Sequence, residues 1–230
     1  MKVLVLLGAP GAGKGTQAPI LADCLGLLHL ATGDMFRAAI RAGSPLGLEA
    51  RGYMDRGELV PDVLTIRTLL DRLHEPDAQN GVILDGFPRT EAQARALDTA
   101  LAAEGTRVEG APYIDVPESE LFRRLSGRWI CRANGHPYHE TLNPPRVAGV
   151  CDEDGSDLYQ RPDDRSDVVR ARLDAQLPPF HQVIDHYRHA GVLRPVDGTK
   201  PIDIVTDQLL GLLLAAGERP ESVLAIDERG

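Results

Sequence analysis

Four glycines, a lysine and a threonine are packed into Gly8-Ala9-Pro10-Gly11-Ala12-Gly13-Lys14-Gly15-Thr16. Those types at that spacing suit the holding of a phosphate chain. Glycines let backbone N–H groups converge on an anion, and the helical pattern that follows brings a helix N-terminus, which favours negative charge. A lysine here is aimed at the β- and γ-phosphates of a nucleotide, and a hydroxyl serves Mg²⁺. Gly11, Ala12, Gly13, Lys14, Gly15 and Thr16 are therefore the expected triphosphate-binding residues. The general phosphate-loop pattern places Ser or Thr directly after the lysine; Gly15 stands there instead, with Thr16 one place later. By itself the loop leaves the phosphoryl acceptor open.

A second chemical group follows at Gly81-Val82-Ile83-Leu84-Asp85, an apolar run ending in a carboxylate. This suits a buried parallel strand whose terminal Asp85 joins Thr16 in holding Mg²⁺ indirectly. Gly86-Phe87-Pro88-Arg89-Thr90 comes immediately after.

The elements that must position these groups alternate between strand and helix. Val3–Leu7 reads as a buried first strand, too short to be the apolar core of a signal peptide. Ile20, Leu21, Cys24, Leu25 and Leu28 fall at helical spacing, which predicts them as the buried face of the first helix, with Cys24 in core packing. Pro19 should remove one hydrogen bond there. A short strand over 27–31 precedes two helical segments near 34–42 and 45–55, a strand-free stretch that reads as an insertion. A helix over 61–74 carries the stripe Val63, Ile66, Leu69, Leu70 and Leu73. Further strands are expected at 112–116 and 192–196, with helices at 91–103, 118–125 and 201–216. A long helical stretch to about His189 should be interrupted near Pro178-Pro179, and the tail from Gly217 should be loosely held. This alternation predicts an α/β fold, a parallel sheet with helices on both faces. Residues 127–164, rich in Pro and Gly, read as a small β-rich insertion.

Composition narrows the function classes. At 230 residues with 43% hydrophobic content the chain suits one well-packed domain with insertions. A net charge of −9 argues against a general nucleic-acid surface. Three cysteines, Cys24, Cys131 and Cys151, make no disulfide framework and suit a reducing cytoplasm. No run approaches the ~20 apolar residues of a membrane span. A monomer is expected, because no coiled-coil pattern is evident.

Several segments together resemble adenylate kinase, in order and over about residues 1–216: Gly8 to Gln17, Ala31-Thr32-Gly33-Asp34-Met35-Phe36-Arg37, Asp85 to Thr90, Gly127-Arg128 and Arg161-Pro162-Asp163-Asp164. The resemblance implies a phosphate-loop NTPase-like core from 1–30, 61–126 and 165–230, an acceptor-binding insertion over 31–60 and a long-form lid over 127–164. It implies the reaction ATP + AMP ⇌ 2 ADP with Mg²⁺. Lys14, Arg89, Arg128, Arg161 and Arg172 would then be catalytic. Thr32, Arg37, Glu58, Leu59, Val60, Gly86, Phe87, Pro88, Arg89, Gln93, Arg161 and Arg172 would hold AMP. Arg128, Pro137, Tyr138 and Lys200 would join the loop around ATP. The arginines suit phosphoryl transfer, which needs positioned, permanently charged bidentate donors. A kinase acting on UMP, CMP or GMP and a non-catalytic ATP-binding regulator are the alternatives.

Trp129 departs from the family pattern, in which a second arginine often follows; it is expected to pack within the lid. So does the lid's metal set. Some members hold zinc through two Cys-x2-Cys-like pairs, and here Cys131, Cys151 and Asp154 are present while Asn134 stands where a ligand would be. His136 or His139 would complete a tetrahedral site only with a different turn geometry. Otherwise Cys131, Asn134, Cys151 and Asp154 form a metal-free hydrogen-bonded core.

Overall fold

The structure is a computed structural model that describes residues 1–215; the expectation about the tail from Gly217 lies outside them. Strands β1 (Val3–Gly8), β2 (Leu28–Ala31), β3 (Val82–Asp85), β4 (Val108–Asp115) and β8 (Leu193–Asp197) form one parallel sheet in the order β2-β3-β1-β4-β8. Every residue of β1 is buried, as a central strand covered on both faces requires. The helices are α1 (Lys14–Leu25), α2 (Thr32–Arg41), α3 (Pro45–Asp55), α4 (Asp62–Leu73), α5 (Glu91–Ala103), α6 (Glu118–Ser126), α7 (Ser166–His189) and α8 (Ile202–Ala215). α1 packs with α8, while α4, α5, α7 and α6 form a second continuous set. Among the described residues no helix is long and apolar enough to cross a membrane.

Two segments stand apart from this body. Helices α2 and α3 enclose an apolar cluster of Phe36, Ala50 and Val60 that is completed by Leu64 of α4. Strands β5 (Arg128–Cys131), β6 (Pro137–His139) and β7 (Leu158–Tyr159) form an antiparallel sheet in the order β6-β5-β7. Its own cluster is Cys131, Tyr138, Cys151 and Leu158.

Three helices differ from expectation. In α1, Gln17, Ala18, Leu21 and Ala22 are buried, whereas Ile20 and Cys24 are exposed. Small alanines let the helix approach the sheet, and Gln17 is buried because Nε2 donates to Ile202 O at 2.9 Å and Oε1 accepts from Thr206 Oγ1 at 2.7 Å. In α4, Val63 is 80% exposed and Leu64 is buried, because the stripe turns to meet Phe36 and Val60. Finally, α7 is continuous through Pro178 and Pro179. Val169 and Leu173 before the prolines and Phe180, Val183 and Tyr187 after them share one core. That common burial outweighs the ~3 kcal/mol an interior proline costs. Trp129, expected to be packed, is 37% exposed.

Candidate functional site

The site lies at the carboxyl ends of β1 and β3, where open parallel sheets bind ligands. β1 runs into the glycine loop, and Leu6 pairs with Asp85, so the loop and the carboxylate are neighbours by register. Gly13 precedes α1 with φ 103°, a left-handed conformation that a side chain would strain. Lys14 Nζ donates to Gly8 O at 2.6 Å and Ala9 O at 3.1 Å. Burial lowers the Lys14 pKa to about 8; Asp85 opposes this, and Arg89, Arg172 and Arg128 reinforce it. Burial pushes the Asp85 carboxyl up, but the hydrogen bond with His29, 3.4 Å away, and the charge of Lys14 hold it below its ordinary value. Thr16 and Asp85 thus offer a hydroxyl and an ionised carboxylate, the oxygen donors that a hard cation takes.

Two cavities open here. The first, about 420 Å³, is bordered by Gly8, Pro10, Lys14, Phe87 and Pro88. The second, about 500 Å³, is bordered by Thr32, Arg37, Glu58, Leu59, Val60 and Gln93. Gly86, Arg89, Arg172 and Gln176 border both, so the cavities meet at two guanidinium groups. Phe87 and Pro88, expected beside the acceptor, lie on the loop side because the turn after β3 faces the glycine loop.

The expected arginines converge. Arg89 donates through Nε to Gly86 O at 2.8 Å and through Nη1 to Gln176 Oε1 at 3.1 Å. Arg128 makes a bidentate pair with Asp164, and Arg172 donates to Asp163 at 2.9 Å. Arg37 is paired with Asp34, and Arg161 approaches the same carboxylate at 4.0 Å with its Nε buried and without a partner. Burial lowers Arg161 and Arg172 to about 10, with neighbouring arginines adding to the effect. For Arg128 burial works the same way but Asp164 prevails and raises it. Cationic charge crowded in a partly buried cleft favours a multiply charged anion. Asp163 and Asp164 lie in a 3-10 turn (Pro162–Asp164) ahead of α7, where they orient arginines.

Other expected residues lie elsewhere or are already engaged. The Glu58 carboxylate is taken by Arg56 on the exposed side. The Tyr138 ring is buried in the small sheet's cluster, its hydroxyl accepting from Asp152 N at 2.7 Å; exposed Pro137 is left as the accessible member of the pair. Lys200 is exposed in the turn after β8, 3.6 Å from Asp197. Gln176 was not anticipated from the sequence. Its position one turn beyond Arg172 on α7 was the available signal.

The small sheet gathers a second donor set. Cys131, His136, Cys151 and Asp154 place one ligand atom each within 4.8 Å of one another. Cys131 Sγ lies 3.2 Å from Asp154 Oδ2, and His136 Nδ1 lies 3.3 Å from Cys151 Sγ. Tetrahedral zinc ligands stand about 3.3–3.8 Å apart; these two distances lie close to that range, and the residue types are ones zinc takes. Asn134 lies outside the set and donates through Nδ2 to Asp154 at 2.7 Å. His139 is turned away, its Nδ1 accepting from Thr141 N and Leu142 N.

The sequence model of the adenylate kinase family matches residues 6–192. The chain is 49% identical over 202 residues to adenylate kinase of Carboxydothermus hydrogenoformans, covering 88% of this chain and 94% of that one. It is 46% identical over 210 residues to adenylate kinase of Staphylococcus aureus, covering 91% and 98%. Adenylate kinase of Staphylococcus epidermidis is 45% identical over the same shares. Matches of that length and level, on a chain whose two cavities meet at Arg89 and Arg172, place it in a family: the chain belongs to the adenylate kinases, the ATP:AMP phosphotransferases.

Proposed function

We propose that the cavity beside the glycine loop holds the triphosphate of ATP, that the cavity beside α2 and α3 holds AMP, and that Arg89 and Arg172 bridge the phosphates between them. The carrying observation is that both side chains border both cavities. An AMP phosphate oxygen forms a bond to the γ-phosphorus as the bond to the bridging β-oxygen breaks, and two ADP result. The acceptor is already an anion, so no general base is needed. Lys14 and the glycine loop hold the β- and γ-phosphates. Arg128, Arg161 and Arg172 spread over the equatorial oxygens, Arg37 and Arg89 clamp the AMP phosphate, and Gln93 meets the base. Mg²⁺ bound with ATP supplies neutralisation of the phosphate charge, and Thr16 and Asp85 are the residues that would hold it.

Residues 31–60 and 127–164 act in this reading as flaps that close over AMP and ATP and exclude water, which would otherwise accept the phosphoryl group. The second flap carries a structural zinc on Cys131, His136, Cys151 and Asp154, supported by the donor spacing above. Elemental analysis of chelator-free protein should give one zinc per chain; well under one overturns this part. A cytoplasmic monomer completes the reading. The free cysteines support the compartment, and light scattering should return 24.9 kDa. The central test is ADP formation from ATP and AMP in a coupled assay: Mg²⁺-dependent product is expected, and none would sink the proposal.

A further inference from the structure

Gln93 is 1% exposed yet borders the acceptor cavity, and its amide is held at both ends. Nε2 donates to Asp62 Oδ1 at 2.7 Å, and Oε1 accepts from Arg89 N at 2.8 Å. The other oxygen of Asp62 accepts from Thr90 Oγ1 at 2.8 Å, which in turn accepts from Gln93 N at 3.2 Å. A carboxylate only accepts and a backbone N–H only donates. The partners therefore allow a single orientation of the amide. What it keeps for a ligand is one lone pair on Oε1 and one hydrogen on Nε2.

We infer that Asp62 is a positioning residue that fixes the polarity of Gln93 and so makes the acceptor site select a 6-aminopurine monophosphate over a 6-oxopurine one. This rests on the proposed placement of Gln93 against the acceptor base. A 6-aminopurine presents a donor at N6 and an acceptor at N1, which match the free lone pair and the free hydrogen. A 6-oxopurine reverses both. To meet it the amide must turn over, setting Oε1 against the Asp62 carboxylate and the NH₂ against the Arg89 N–H. Both contacts are repulsive in a buried place, so the wrong base bears the full cost of unpaired groups. Sites built this way reject mismatched ligands far better than apolar pockets do.

Asp62 is also the first residue of α4, where a carboxylate favours a helix N-terminus in any case. The experiment separates the two roles. Steady-state kcat/KM is measured with AMP and with IMP, which keeps the purine frame but carries the 6-oxo group, at saturating ATP. The wild type should prefer AMP by more than about a hundredfold. Asp62→Asn, whose amide accommodates either polarity, should lower the AMP/IMP ratio by about tenfold, and Asp62→Ala should act similarly. Thr90→Val should lower the unfolding temperature but leave the ratio unchanged. Asp62 variants that lose AMP and IMP turnover in equal proportion would overturn the inference and leave a helix-terminal role. A Gln93→Leu variant with an unaltered ratio would overturn it differently, by removing Gln93 from the base.

Discussion

The helical segment on the acceptor side and the small antiparallel sheet are both inserted between elements of the parallel sheet, yet they are held in opposite ways. Phe36, Ala50 and Val60 of the first share their cluster with Leu64, which belongs to a helix of the main body. Gly57 lies against Arg172, where a Cβ would come within 2.9 Å, and its carbonyl accepts from Gln176 Nε2 at 2.6 Å. Among the described residues the small sheet shares no apolar cluster with the body. Its ties at the base are polar: Arg128 to Asp164, Gln160 Nε2 to Ser126 O at 2.7 Å and His139 to Arg123 O. A cluster of four buried residues is too small to fold a unit alone. Hydrogen bonds from Cys131 and Asn134 to Asp154, and between His136 and Cys151, supply part of what apolar burial supplies on the other side.

Arg172 is where the two halves meet, and its removal should have the largest effect. Arg172→Ala should cut kcat on the order of a thousandfold and weaken both substrates, with the far-ultraviolet circular dichroism retained. A change in KM for one substrate alone would show that the cavities do not join there. Next comes the apolar side. Phe36→Ala opens a cavity in a cluster continuous with the body and should cost about 3–4 kcal/mol in urea unfolding. A transition that splits in two, with the main midpoint unmoved, would mean that the helical segment folds on its own.

These contrasts mark what the sequence made legible. The glycine loop and Asp85 carry their chemistry in residue type and position, whereas the arginines followed from the family resemblance; Lys14, Arg37, Arg89 and Arg172 border the two joined cavities. Strand and helix alternation predicted the parallel sheet because period and length are local properties. The stripes of α1 and α4 were misread by a residue or two, since what decides them is non-local: Gln17 is buried by partners on α8, and Leu64 by Phe36. Tandem proline in α7 signals a break locally, and only the shared core overrides it. His136 was left open as a ligand because the turn between β5 and β6, rather than spacing, carries it to Cys151 and Asp154. Asp62, Gln176 and His29 gave no motif; their roles exist only through contacts made across the fold.

The polar side of the comparison should yield smaller, confined losses. Cys151→Ala should leave the main urea transition in place and lower kcat/KM for ATP by about tenfold, while kcat/KM for AMP at saturating ATP changes little. A fall in overall stability as large as that of Phe36→Ala would erase the distinction between the two segments.

The smallest effect separates the two substrates by pH. Burial lowers Lys14 to about 8, so its charge is complete below that value and is lost as pH rises through it. Arg161 and Arg172, lowered by burial to about 10, keep theirs across the same range. The pH dependence of kcat/KM reports groups of the free enzyme, whereas kcat reports those of the complex. At pH 8.5 about one quarter of Lys14 is protonated, so kcat/KM for ATP should fall about fourfold from its plateau. Bound phosphates stabilise the lysine charge, so kcat/KM for AMP measured at saturating ATP should stay level to about pH 9. Parallel alkaline limbs for the two substrates would mean that one group serves both cavities. A level ATP profile would mean that the loop holds its triphosphate without the Lys14 charge.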